Sequence, residues 1–369
     1  MSAKKRYRAA AIGRTGRGDY GHGLHTAYLG LEQVEFVAVA DPDEAGRLKA
    51  QRETSAPRAY ADYREMLRAK KPDLVSVCPR WTDCHLEMVL ACLEAGAHVY
   101  CEKPMTWNLE EGDRIVAEAA ARKLKVAVAH QGVYLPRVQH LKNLLASGRI
   151  GQVQSFHAHG KQDRRGGGED MIVLGTHLFN MMRFFAGEVA WMSAQVTAEG
   201  RELEKAHIRQ PTEPVGPVAG DCVNSFFSFR SGAVGFFDSR RDQAGSGHRY
   251  GMEIVGSAGI ISLRGGSGSD LMIYPHPLFR PADPAQQWRP LEEVPDQPLA
   301  KGNQLAILDL IAAAEEDRQP ISSAADAVAA LEMILGAYES QITGQRVHFT
   351  MPRRRHPLEV WKAGGYERR

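Results

Sequence analysis

The feature that most constrains this chain is a regular alternation of short, largely apolar runs with helical stretches, opening on a strand that ends in glycines. Tyr7–Ile12 leads straight into Gly13-Arg14-Thr15-Gly16-Arg17-Gly18-Asp19-Tyr20-Gly21. Further runs at Phe36–Ala40 (within an apolar stretch from Val34), Leu74–Cys78, His98–Cys101 and Val126–Ala129 read as strands buried on both faces. Between them lie helical stretches at Glu44–Arg52, Tyr63–Ala69, Cys84–Ala95 and Leu109–Arg122. Asp62 and Asn108 stand at N-cap positions and Gly96 at a C-cap. Such alternation predicts an α/β fold, an N-terminal doubly wound parallel sheet of the Rossmann type, with its site at the carboxyl ends of the strands.

The pattern changes after residue 130. A helix at Leu135–Ser147 and a strand at Val153–Gly160 precede the loop Arg164-Arg165-Gly166-Gly167-Gly168, and a helix over about Val173–Phe185 follows. Val189–Glu199, Val223–Phe229, Ala233–Ser239, Tyr250–Gly256 and Gly259–Arg264 read as strands joined by turns, which predicts an open, mainly antiparallel sheet in a C-terminal α+β domain. Pro275 to Pro298 reads as a surface loop, and helices over Asn303–Glu316 and Ala324–Thr343 precede a basic tail. With 369 residues the chain suits two domains. The division expected is 1–125 for dinucleotide binding and 126–369 for substrate binding and oligomerisation, the closing helix and tail packing back on the first.

The chemistry follows from where the polar residues fall. A pyrophosphate needs backbone amides at close range, which side chains would block. Two glycine registers serve: Gly13-x-Thr15-x-x-Gly18, with threonine in place of the second glycine, and Gly16-x-Gly18-x-x-Gly21. The first suits the strand geometry better. Asp41 ends the second strand, where a carboxylate accepts from ribose hydroxyls and repels a 2′-phosphate, so NAD is favoured over NADP, although Arg14 and Arg17 nearby could tolerate that phosphate. Glu102-Lys103-Pro104 ends a later strand and projects a lysine into the crevice, where a partly desolvated amine can shuttle a proton. Pro79-Arg80-Trp81, His85, Glu102, His130 and Gln131 also fall at strand ends and are expected to contact the cofactor.

In the second half, His177 and Asn180 share a helix face and Asp170 lies one loop upstream, a set able to bind hydroxyls and move a proton. The glycine run before them reads as a mobile loop that helps close the site. Lys161, Arg164 and Arg165 form a basic run beside it and are candidate anion contacts. Tyr134 is a weaker candidate, and His22 and His25 are as suited to packing as to binding.

A formal net charge of +2 argues against a general nucleic-acid binder. No apolar run reaches the roughly 20 residues that span a bilayer. The five cysteines make no C-x-x-C pair, so neither a disulfide framework nor a metal site is expected. A basic start that runs directly into a strand reads as a cytoplasmic chain.

These residues together resemble the Gfo/Idh/MocA oxidoreductases, the family of glucose-fructose oxidoreductase and inositol dehydrogenase. The carriers are the Gly13–Gly18 turn, Asp41, Glu102-Lys103-Pro104, the Gly166–Gly168 run, His177 and the segment Pro320–Val347 with Tyr338-Glu-Ser. The resemblance implies NAD or NADP in the first domain, a sugar, sugar acid or cyclitol as substrate, catalytic roles for Lys103 and His177, and a homodimer or homotetramer assembled through open sheets. The chain departs from the family's D-x-G-x-H motif, whose aspartate falls at Val173; Asp170 is the available replacement, and Asn180 stands where a second acid is common. Three activities remain open: an NAD-dependent sugar or polyol dehydrogenase, a redox-neutral NAD-dependent glycoside hydrolase, and a non-catalytic NAD-binding regulator.

Overall fold

A computed structural model describes residues 6–245, 248–265, 270–276, 286–291 and 297–366. Most of the expected Pro275–Pro298 loop lies outside these residues. The elements in chain order are β1 (Tyr7–Ile12), β2 (Val34–Ala40), α1 (Glu44–Thr54), β3 (Ala59–Tyr60), α2 (Tyr63–Lys70), β4 (Leu74–Val77), α3 (His85–Glu94), β5 (His98–Cys101), α4 (Leu109–Ala121), β6 (Val126–Val128), α5 (Pro136–Ala146), β7 (Val153–His159), α6 (Gly168–Val173), α7 (Gly175–Ala186), β8 (Val189–Ala198), β9 (Arg201–Glu202), β10 (Cys222–Phe229), β11 (Val234–Arg240), β12 (Gly251–Gly256), β13 (Gly259–Arg264), β14 (Asp270–Tyr274), β15 (Arg289–Pro290), α8 (Leu299–Glu315), α9 (Ala324–Thr343), β16 (Val347–His348) and α10 (Pro357–Lys362).

They form two compact units. The first runs through Gln131 and takes in Thr212–Gly216 and Ala300–Val328; the second comprises Gly132–Pro211, Pro217–Leu299 and the chain from Ala329 onward. A boundary at 125 would cut β6 from its own sheet. Of the closing segments, α8 and the first turn of α9 join the first unit, and the tail belongs to the second.

The first unit holds a six-stranded parallel sheet in the order β3-β2-β1-β4-β5-β6. That order reverses direction between β1 and β4, which opens a crevice at the carboxyl ends. All of β4 is buried, as are the last four residues of β1, because helices cover both faces. The helices start where the side chains dictate. Asp43, Asp62 and Asn108 accept from Gly46, Arg64 and Glu111 amides at the N-termini of α1, α2 and α4. Helix α8 is tied to this sheet through Asn303, which accepts from the Tyr100 hydroxyl at 2.7 Å and donates to the His22 carbonyl at 3.0 Å.

The second unit holds a ten-stranded sheet: β15-β14-β13-β12-β7-β11-β10-β8-β16, with β9 on β8. Its pairs are antiparallel except β7 with β11. That parallel pair arises because α6, α7 and three strands intervene before β11 returns beside β7. Phe156, Phe227 and Phe237 are buried on one face. The other face carries a run of ring contacts: Trp191 to Phe226 at 5.3 Å, Phe226 to Phe236 at 5.3 Å and Phe236 to His157 at 4.8 Å. Phe236 remains 38% exposed there, unusual for so large an apolar side chain.

Candidate functional site

The glycine loop takes a form that its sequence does not announce. No α-helix separates β1 from β2; the chain closes on itself through a bridge between Arg14 and Asp19, then makes one 3-10 turn at Leu24–Thr26. The amides of Gly13, Arg14 and Arg17 donate to backbone carbonyls, that of Thr15 to Asp41, and that of Gly16 to the Asp19 carboxylate. The expected cradle of amides is therefore largely spent within the loop, leaving the Arg14 and Arg17 side chains as the nearby cationic groups. Arg17 pairs with Asp83 and lies 5.4 Å over the Trp81 ring. Gly18, at φ 87°, accepts from the Arg80 amide at 3.1 Å, and a Cβ there would stand 2.4 Å from that nitrogen. A glycine is required because the loops after β1 and β4 meet backbone to backbone.

Beside this loop a pocket of about 330 Å³ opens at the ends of β1 and β2, lined among others by Gly13, Arg14, Asp41, Pro42, Tyr63 and Met88. Its mixture of apolar wall, buried carboxylate and cation suits the adenosine half of a dinucleotide. The Tyr63 hydroxyl, buried without a hydrogen-bond partner, is a further polar group available to such a ligand. Tyr63 and Met88 were not singled out from sequence. Their signal was positional: both follow the carboxyl end of a parallel strand.

At the end of β5, Glu102 and Lys103 are both buried. Glu102 accepts from the His22 amide and ring Nδ1, each at 2.9 Å, and from the Lys103 amide at 2.9 Å. Burial raises its pKa, but the His22 bonds and the Lys103 charge outweigh that and hold it below the usual carboxylate range. Glu102 was expected among the cofactor contacts; its geometry instead makes it the anchor of the glycine loop's far end. His85 likewise turns inward. It has no exposed surface, and its ring nitrogens lie 2.9 Å from the Met105 carbonyl and 2.6 Å from the Pro79 carbonyl. It braces the loop after β4 against the turn that follows Lys103. His130 contacts Ser322 at 3.0 Å through Nδ1, and Gln131 is buried against Gly302 of α8. His25 reaches Glu53 at 2.9 Å.

The second unit gathers the remaining candidates around α6 and α7. Asp170 is buried; its Oδ2 accepts from the Ser239 hydroxyl at 2.6 Å and the Gln162 amide at 3.0 Å, while Oδ1 has no partner. Burial raises its pKa, and the Ser239, Gln162 and Lys161 donors offset it only in part. Asn180 is also buried with an unpartnered Oδ1. His177 is half-buried on α7, its amide bonded to the Leu174 carbonyl at 3.2 Å. Val173 packs in the interior. The glycine run is closely packed: at Gly167, φ 88°, a Cβ would stand 2.6 Å from Asp221 backbone atoms. Arg165 is paired with Asp163 at 3.1 Å and Lys161 approaches the same carboxylate at 3.6 Å, while Arg164 is exposed. A network missed from sequence lies close by: Asp238 pairs with His159 and Gln162, and Arg249 reaches His159 at 2.9 Å. His159 and Asp238 alternate with core residues along β7 and β11, and Gln162 and Arg249 come from outside those strands, which hides the set from any motif. Among the described residues no cluster of His, Cys, Asp or Glu could hold a metal ion, and no helix is long and apolar enough to cross a membrane.

Comparison with known proteins agrees with this geometry. The family model described as an oxidoreductase family with an NAD-binding Rossmann fold matches residues 8–130, and the GFO/IDH/MocA C-terminal domain matches residues 138–262. The myo-inositol 2-dehydrogenase of Thermotoga maritima is 27% identical over 260 residues, 68% of this chain and 74% of that protein. The levoglucosan dehydrogenase of Pseudarthrobacter phenanthrenivorans is 25% identical over 251 residues, 62% of this chain and 64% of that protein. A solved levoglucosan dehydrogenase in complex with NADH and levoglucosan superposes with a TM-score of 0.74 at 20% identity, covering 94% of this chain and all of that one. The chain therefore belongs to the Gfo/Idh/MocA oxidoreductases, with that family's NAD-binding Rossmann domain followed by its C-terminal domain.

Proposed function

We infer that this oxidoreductase moves a hydride between a carbinol carbon of a sugar, sugar derivative or cyclitol and NAD. The observation that carries the substrate class is the pair of buried, unpartnered acceptor oxygens on Asp170 and Asn180. Leaving a buried acceptor unsatisfied costs about 1–3 kcal/mol, so such groups await donors, and a polyol supplies hydroxyl donors. The names of the inositol and levoglucosan dehydrogenases among the relatives point the same way.

In this reading the wall of the pocket at Asp41 receives the adenosine half, the loop at Gly16, Arg17 and Gly18 meets the phosphates through the Arg14 and Arg17 side chains rather than its amides, and Pro79, Lys103, His130 and Gln131 hold the nicotinamide half. Bound there, the nicotinamide ring accepts or returns the hydride. Lys103 and His177 handle the hydroxyl proton: the amine is buried at the end of β5, and an imidazole ring can both donate and accept a proton. Asp170 and Asn180 orient hydroxyls, and Arg164 and Arg165 border the substrate. A second copy covers the aromatic face of the large sheet at Trp191, Phe226 and Phe236, giving a homodimer or homotetramer. Five free, buried cysteines suit the reducing cytoplasm.

The test is absorbance at 340 nm with NAD+ or NADP+ and a panel of cyclitols, anhydrosugars, sugar acids and aryl glycosides. Sustained NADH formation with one compound is expected. Aglycone release that needs NAD+ without net NADH would replace the dehydrogenase with a redox-neutral hydrolase. Lys103→Ala is expected to lower kcat by about 10²-fold or more while NAD binding stays within about twofold; unchanged turnover removes Lys103 from the chemistry.

A further inference from the structure

Thr15, the residue that breaks the dinucleotide fingerprint, occupies a defined position. Its amide donates to both carboxylate oxygens of Asp41, at 3.2 and 3.0 Å, and its hydroxyl donates to Oδ2 at 2.7 Å. The Asp43 amide adds a bond to Oδ1 at 2.9 Å. On its other side Thr15 is pressed by α1: a Cβ on Gly46 would stand 1.8 Å from the Thr15 hydroxyl oxygen. Glycine at 46 lets the helix come down on the threonine, which is then clamped between helix and carboxylate.

Two carboxylate oxygens offer about four lone-pair directions. Loop and turn donors occupy most of them, and Asp41 has no exposed surface even though it belongs to the pocket lining. A ligand meets this carboxylate as part of the wall, with little room to accept from two ribose hydroxyls at once. What the carboxylate chiefly presents is negative charge at a set position, which repels a 2′-phosphate.

We propose that Thr15 is the positioning residue for cofactor selection: by holding the Asp41 carboxylate in the pocket wall, it sets the preference for NAD over NADP. The fingerprint glycine traded away here would have left that carboxylate one donor short. This rests on NAD binding by the Rossmann unit and is independent of the substrate reading.

Isothermal titration of the full chain with NAD+ and with NADP+, no sugar present, tests it. Thr15→Val keeps the branched shape under α1 and removes the hydroxyl; Thr15→Ser keeps the hydroxyl. Thr15→Val is expected to lower the NAD:NADP affinity ratio about tenfold, chiefly by relieving the repulsion of the 2′-phosphate, while NAD+ affinity changes less than NADP+ affinity. Thr15→Ser is expected to retain the ratio. Gly46→Ala displaces Thr15 without altering either partner and is expected to lower the ratio as well, which keeps the test decisive if Thr15→Val does not fold. Equal weakening of both cofactors, or unchanged affinities, in Thr15→Val or in Gly46→Ala overturns the proposal. A chain that binds NAD+ selectively yet oxidises no sugar would defeat the dehydrogenase reading and leave this one standing.

Discussion

Glu102 and Asp170 are both carboxylates without exposed surface, one in each unit, and their pKa values are driven in opposite directions. Burial pushes both up. Glu102 ends below the usual range because a ring nitrogen, two amides and the charge of Lys103 converge on it. Asp170 ends above it because burial outweighs the Ser239 hydroxyl and the Gln162 and Lys161 amides, with the Asp163 charge adding repulsion. Depth therefore does not decide the charge of a buried acid; the donors around it do. The first arrangement is that of a structural anchor. The second is that of a group still short of a partner, as expected of one that meets a ligand.

The largest effect expected from this contrast is at Glu102. Glu102→Ala removes the carboxylate that faces the buried Lys103 charge and accepts from the Lys103 and His22 amides, and is expected to cost about 3 kcal/mol or more, read as a shift of the denaturation midpoint. A loss under about 1 kcal/mol would break the comparison. Glu102→Gln keeps an acceptor and should fall between that variant and the native chain.

The pH dependence of stability should differ in sign. Glu102 has a depressed folded pKa, so its contribution is complete above its unfolded value of about 4.3 and is lost as pH falls through the folded value. Urea midpoints of native chain and Glu102→Gln should thus converge in acid. Asp170 has a raised folded pKa, so the native state holds its proton where the unfolded chain does not. Stability is lost as pH rises from about 3.9 through the folded value. The native chain should gain on Asp170→Asn as the solution is acidified; parallel profiles would remove the assigned shifts.

The smallest effect sharpens the distinction. Asp170→Asn is expected to change stability at neutral pH by less than about 1 kcal/mol while lowering kcat/KM for the substrate that the 340 nm screen identifies. A large loss of stability with normal kinetics would make Asp170 another anchor.

Much of the first unit was legible before any coordinates. Its strands carry apolar side chains on both faces, and Asp62 and Asn108 cap helices exactly as such side chains must when the amides behind them have no other acceptor. The positions of Lys103 and Asp41 at strand ends followed from the same alternation. Less legible was which way each polar group turns. His85 and Glu102 sit at the crevice by sequence, but their hydrogen-bond partners come from Met105, Pro79 and His22, remote enough along the chain that no spacing reveals them. The Gly166–Gly168 run read as flexible for a related reason. Glycine in sequence signals freedom, whereas at Gly167 it records the approach of Asp221, more than fifty residues away.

By itself the sequence determined the parallel sheet, the NAD-binding Rossmann unit and the family. Those depend on periodicity and on residue types next to one another, which the chain carries locally. The tertiary structure alone decided that Thr15 grips Asp41, that the loop amides are already spent, and that β7 pairs in parallel with β11. Each of these is a contact between segments brought together only by the burial of apolar surface, and hydrogen-bond directions are settled after that collapse rather than before it.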